Sequence, residues 1–132
     1  MNDIAVGFVG LGAMGQPMVR HLHRMGWLRA ICNRTLVTAQ TLAAELEISV
    51  APTAAELVDT CNVIVLCLPA DADVLSVVRA IAVRANSGLI VIDHSTVSSE
   101  TAKQAQSIMV ESHGDFLDAP VSGGVEGAKN GK

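Results

Sequence analysis

The stretch Val6-Gly7-Phe8-Val9-Gly10-Leu11-Gly12-Ala13-Met14-Gly15 decides how this chain folds. An apolar strand runs straight into Gly10-x-Gly12-x-x-Gly15, and a helical pattern takes over at once. Each glycine answers a separate mechanical need. Gly10 permits the tight turn, Gly12 lets a pyrophosphate approach bare backbone, and Gly15 lets helix and strand pack closely. The helix that begins there turns unpaired N–H groups and the positive end of its dipole toward phosphate oxygens. Leu11, Ala13 and Met14 fill the positions between, so Gly10 to Gly15 together form the expected dinucleotide loop.

Outward from that stretch, strands and helices alternate to the end of the chain. Ile4–Val9 reads as the first strand, followed by a helix from about Met14 to Met25. Met14, Met18, Leu22 and Met25 fall at helical spacing and read as its core stripe. Gly26 suits the left-handed position that ends it. Ala30–Asn33 is a second strand, Thr35 can cap a helix to about Glu47, and Ile48–Ala51 is a third strand. Thr53-x-x-Glu56 has the form of a capping box for a short helix. Asn62–Leu68 reads as the fourth strand, apolar throughout from Val63, as a strand covered on both faces should be, and Pro69 stops it. A helix over Asp71–Arg84, a strand over Leu89–Asp93, a helix capped by Ser98 and ended by Gly114, and a strand beginning at Phe116–Leu117 complete the pattern. The alternation predicts an α/β fold: a Rossmann-type, doubly wound, mainly parallel sheet with helices on both faces. Residues 1–132 are expected to form a single domain.

Composition narrows the setting. The net charge is −4 and no Lys or Arg cluster stands out, which argues against a nucleic-acid partner. The longest apolar run, Val63 to Leu68, is far too short to cross a membrane. The start, Met1-Asn2-Asp3-Ile4, lacks the basic stretch of a signal peptide, so a cytoplasmic location is expected. Cys32, Cys61 and Cys67 are odd in number and lack metal-ligand spacing; they read as reduced, packing thiols. His21 and His23, two apart on a helix, face different ways and cannot share a metal.

The end of the second strand bears on the choice of dinucleotide. NAD sites usually place a carboxylate about 20 residues after the glycines, to accept from the ribose hydroxyls. Here the place holds Asn33, followed by Arg34 and Thr35. An amide does not repel a 2′-phosphate, Arg34 offers a planar set of donors, and Thr35 adds a hydroxyl at a helix start. NADP is expected over NAD, against the plainer reading of Arg34 as a solvated side chain and Thr35 as a cap.

With these residues in place, the chain resembles the β-hydroxyacid dehydrogenase family, which includes 3-hydroxyisobutyrate dehydrogenase, tartronate semialdehyde reductase and, more distantly, 6-phosphogluconate dehydrogenase. Three segments carry the likeness: Gly7 to Met18 with its Met14, Gly15 and Pro17; Asp93-His94-Ser95-Thr96; and Asp118-Ala119-Pro120-Val121-Ser122-Gly123-Gly124 running on to Ala128. The resemblance implies that Leu68, Pro69 and Asp73 lie by the cofactor's ribose and Thr96 by the nicotinamide. It implies that Ser122, Gly123 and Gly124 bind the substrate, a small 3-hydroxy acid or semialdehyde. His94 also falls near the implied nicotinamide, without anything to fix it beside a substrate hydroxyl.

One departure matters. Family members continue into an all-helical domain that carries the general acid/base lysine, and that motif is absent from these residues. The resemblance therefore implies no catalytic residue within this chain and weak turnover by it alone. Without those helices, an apolar face would lie bare, leaving self-association open. Two alternatives stand beside the dehydrogenase reading: a non-catalytic dinucleotide- or partner-binding module, and an imine reductase-like domain, against which the Pro120 to Gly124 stretch speaks.

Overall fold

Short apolar runs interrupted by turn residues give short buried strands, and amphipathic runs between them give the crossovers. The structure, a computed structural model, describes residues 4–121. In chain order it forms β1 (Val6–Val9), α1 (Gly15–Arg24), β2 (Leu28–Cys32), α2 (Leu36–Leu46) and β3 (Ser49–Val50). A 3-10 helix (Ala54–Asp59) then leads to β4 (Val63–Leu66), α3 (Asp71–Arg84), β5 (Ile90–Asp93), α4 (Ser99–Glu111) and β6 (Asp115–Asp118). The six strands form one sheet in the order β3-β2-β1-β4-β5-β6. Every pairing is parallel, from Gly7 opposite Ala30 at one side to Asp93 opposite Asp118 at the other. The fold is the expected Rossmann type. Strand order reverses between β1 and β4, and a crevice opens beyond the carboxyl ends of strands at such a point.

Alternation along the strands sorts the core into two layers. Val6, Phe8, Ile31 and Val65 pack with Val19, Ala39 and Leu42 under α1 and α2. Ile64, Leu66 and Val91 pack with Leu57, Val74, Val78, Ile81 and Met109 under the 3-10 helix, α3 and α4. The first layer stops short of the last strands: Ile90 is 39% exposed and Leu117 55%. At the start of α3, Asp71 Oδ2 accepts from the Ser98 N–H at 3.1 Å and from the Thr101 hydroxyl at 2.8 Å, on the first turn of α4. Those bonds, the backbone one foremost, hold the Asp71 carboxyl below the usual carboxylate range.

Several local expectations need correction. β2 begins at Leu28, two residues ahead of the expected Ala30, and leaves Asn33 in the following loop. β3 keeps only Ser49–Val50. Thr53 stands at the cap of the 3-10 helix but its side chain makes no capping bond, so the capping box with Glu56 does not form. Thr35 likewise holds the cap position of α2 through backbone geometry without a side-chain bond. Ser98 does cap α4, its Oγ accepting from the Thr101 N–H at 3.2 Å. Gly26 has the expected positive φ, +78°. After α4 the left-handed residue is His113, at φ +65°, while Gly114 sits in close packing: a Cβ there would lie 2.8 Å from Met109 Cε and 3.2 Å from the Leu89 carbonyl oxygen. The stripe on α1 is also shifted. Gly15 and Val19 are buried, Met18 and Leu22 flank them, and Met25 is 59% exposed because the helix has ended at Arg24.

Candidate functional site

At the carboxyl ends of β1, β2 and β4 the three glycines occupy distinct environments. Gly10 has φ +106°, and a Cβ on it would fall 2.1 Å from the Cys67 carbonyl oxygen. A Cβ on Gly15 would fall 1.9 Å from the Gly10 carbonyl oxygen. Gly12 is exposed, and a Cβ there would meet nothing within 4 Å. The loop is therefore locked by close approach at both ends and bare in the middle. It borders a cleft of about 820 Å³. Gly10, Leu11, Gly12, Ala13, Met14 and Gly15 line it, facing Asn33, Arg34 and Thr35 from the β2–α2 turn and Leu68, Pro69 and Asp73 from the β4–α3 turn. A second hollow of about 450 Å³ runs along the flank of α1 past Arg20 and Arg24, away from the sheet edge.

Thr96, also expected at the cofactor, is not among the lining residues; it is exposed, three residues beyond β5. Ser122, Gly123 and Gly124 lie outside the described residues. Thr38, Pro52, Thr53, Cys67 and Ser76 line the cleft without having been expected there from sequence. Nothing local in the sequence marks them as cleft residues, since the sheet gathers them from separate turns.

The walls are stitched together by side chains. Asn33 Oδ1 accepts from the Leu11 N–H at 2.9 Å and its Nδ2 donates to the Thr35 carbonyl at 3.2 Å. Only an amide can serve both partners, because a carboxylate has no donor. Gln16 adds a bond from Nε2 to the Leu11 carbonyl at 2.9 Å. Arg34 ion-pairs with Asp73 across the cleft. On the far side, Ser95 Oγ accepts from the Leu68 N–H at 2.7 Å, and the Ser95 N–H donates to Asp93 Oδ1 at 2.9 Å. This chain of bonds ties the β4–α3 turn to the end of β5.

Asp93 is fully buried and its Oδ2 has no hydrogen-bond partner among the described residues. Burial pushes its carboxyl up, against the lowering effect of the Ser95 bonds. Burial, helped by the charge of Asp93, also pushes up the Cys67 thiol, and burial does the same at Cys32 and Cys61. Thiols held up in this way are poor nucleophiles, which agrees with a packing role. His94 Nδ1 lies 2.7 Å from the Ala119 carbonyl; a carbonyl only accepts, so Nδ1 carries the proton. That bond turns the ring toward β6.

The donor set fits a dinucleotide. A side-chain-free position facing open space beside a helix N-terminus is what a pyrophosphate needs. Residues 5–132 match the family described as the NAD binding domain of 6-phosphogluconate dehydrogenase. The chain belongs to that family. As a member of the 6-phosphogluconate dehydrogenase NAD-binding domain family it is 34% identical over 129 residues to an uncharacterised oxidoreductase of Shewanella frigidimarina, covering 96% of this chain and 44% of that protein. It superposes on Mycobacterium tuberculosis 3-hydroxyisobutyrate dehydrogenase, solved with L-serine, at a TM-score of 0.89 and 31% identity, covering 98% of this chain and 44% of that one. It matches Psf3, solved with NADP+ and 2-OPP, at a TM-score of 0.87 and 32% identity, covering 96% and 46%. The chain thus spans less than half the length of these relatives. It is an NAD(P)-binding domain. Among the described residues no helix is long and apolar enough to cross a membrane.

Proposed function

We propose that the chain binds NADP and is the cofactor-binding half of an oxidoreductase acting on a 3-hydroxy acid or the matching semialdehyde. The observation that carries this is the bare Gly12 in a cleft whose opposite wall presents Arg34, with an amide rather than a carboxylate at the end of β2. Backbone N–H groups of the loop and the start of α1 hold the pyrophosphate. Arg34 and Thr35 take the 2′-phosphate, while Leu68 and Pro69 flank the ribose. When bound, the nicotinamide supplies the hydride chemistry, and the protein positions the reactants around it. Thr96 attends the nicotinamide end, and Ser122, Gly123 and Gly124 hold the substrate's carboxylate and hydroxyl. In the full enzyme the general acid/base is a lysine outside these residues, so turnover by this chain alone is weak or nil.

A fluorescence titration of the 132-residue chain with NADPH and NADH tests the cofactor assignment. Arg34→Ala is expected to weaken NADPH by about tenfold or more, the size of a lost charge-assisted bond, and NADH far less. Equal losses for the two would overturn it.

A further inference from the structure

We propose that Asp73 is a second specificity determinant of the cleft: its carboxylate straps the Arg34 guanidinium across the mouth, and a 2′-phosphate binds by displacing it. The proposal rests on the NADP reading above. The two residues are 39 apart in sequence and stand on opposite walls, Arg34 after β2 and Asp73 in the first turn of α3. Among the described residues the other ion pairs, Arg20 with Glu45 and Arg84 with Asp59, involve residues outside the cleft lining.

The strap is built to open. The side chain of Arg34 is 80% exposed and that of Asp73 22%, so water and salt reach the pair and it is weak. A phosphate dianion offers the same guanidinium more acceptor oxygens and a paired, planar contact. Asp73 does not need the partner either, because a carboxylate in a helix's first turn is already favoured by the dipole. Its charge therefore acts chiefly on Arg34 and on whatever anion comes to Arg34. A dinucleotide with a free 2′-hydroxyl leaves the strap closed; one with a 2′-phosphate must displace Asp73 and then sit beside it. Asp73 thus sets the protein's preference below what Arg34 alone would give.

The test is a double-mutant cycle on the 132-residue chain, titrated with NADPH and NADH. Asp73→Asn is expected to tighten NADPH by about two- to fivefold, the range an exposed ion pair carries, and to raise the NADPH to NADH affinity ratio. In the Arg34→Ala background the same substitution should gain clearly less for NADPH. Asp73→Ser, another good residue for a helix start, serves as the second neutral variant should the first fold poorly. Weakened NADH binding with NADPH unchanged would overturn the strap and make Asp73 a ribose ligand. An undiminished gain in the Arg34→Ala background would reduce Asp73 to general charge repulsion and also overturn it. If Arg34→Ala leaves the NADPH to NADH ratio unmoved, the NADP reading fails and the strap with it. If that ratio falls while Asp73→Asn does nothing, only the strap fails.

Discussion

A methyl group added at Gly12 meets nothing within 4 Å, whereas one added at Gly15 falls 1.9 Å from the Gly10 carbonyl oxygen. The same kind of substitution therefore separates binding from folding. Gly12→Val is expected to keep the wild-type melting temperature but to lose NADPH by more than about tenfold, because the branched side chain fills the space a pyrophosphate would take. Gly15→Ala is expected to cost about 1–3 kcal/mol or more in a urea melt, since backbone must move to admit it. The close packing of Gly15 was legible in sequence because it is met within a few residues, whereas the Cys67 carbonyl that crowds Gly10 comes from a separate strand end. The strap was not, because Arg34 and Asp73 meet only once β1 has brought two turns together. Nor was the stitch made by Asn33, whose amide the sequence showed only as the lack of a carboxylate.

Among the elements, the turns after β4 and β5 depend on each other through Asp93, Ser95 and Leu68. Asp93 is the costly member of that chain. Its carboxyl is held above the ordinary value by burial, so the folded protein keeps a proton that the unfolded chain gives up. Its contribution is present below the ordinary carboxylate range and is lost as pH rises through the folded-state value. At pH 7 the charge is a burden. Asp93→Asn retains an acceptor for the Ser95 N–H and removes that charge, since burying an amide costs less than burying an ion. The variant is expected to melt above wild type at pH 7, with the difference shrinking toward pH 4 in thermal melts followed by circular dichroism. The elements themselves were legible from apolar periodicity, as α3 shows by matching its expected span over Asp71–Arg84. Their ends were less so. Thr35 and Thr53 carry the right side chains for caps yet leave the bonds unmade, and His113 takes the left-handed turn beside a glycine that is used for packing instead.

For the whole molecule, alternation indicated a parallel doubly wound sheet, because parallel neighbours need a crossover of this kind and helices supply it. What alternation does not carry is how evenly the two faces are covered. α1 and α2 lie over one end of the sheet, and the side chains of Ile90 and Leu117 at the other end remain partly in water. Cofactor should steady the entire domain, since it binds only the folded chain. NADPH at about a hundredfold excess over its Kd contributes about 2.7 kcal/mol, roughly a 10 °C rise in Tm for a domain of this size. NADH at the same concentration should give a smaller rise in differential scanning fluorimetry, and equal rises would count against the phosphate role of Arg34. The first turn of α3 has one carboxylate, Asp73, in the cleft and another, Asp71, fastened twice to α4. It is a lever with an arm on each side. The margin of the cleft and the start of the helix that packs on β6 therefore share one short piece of backbone as their anchor.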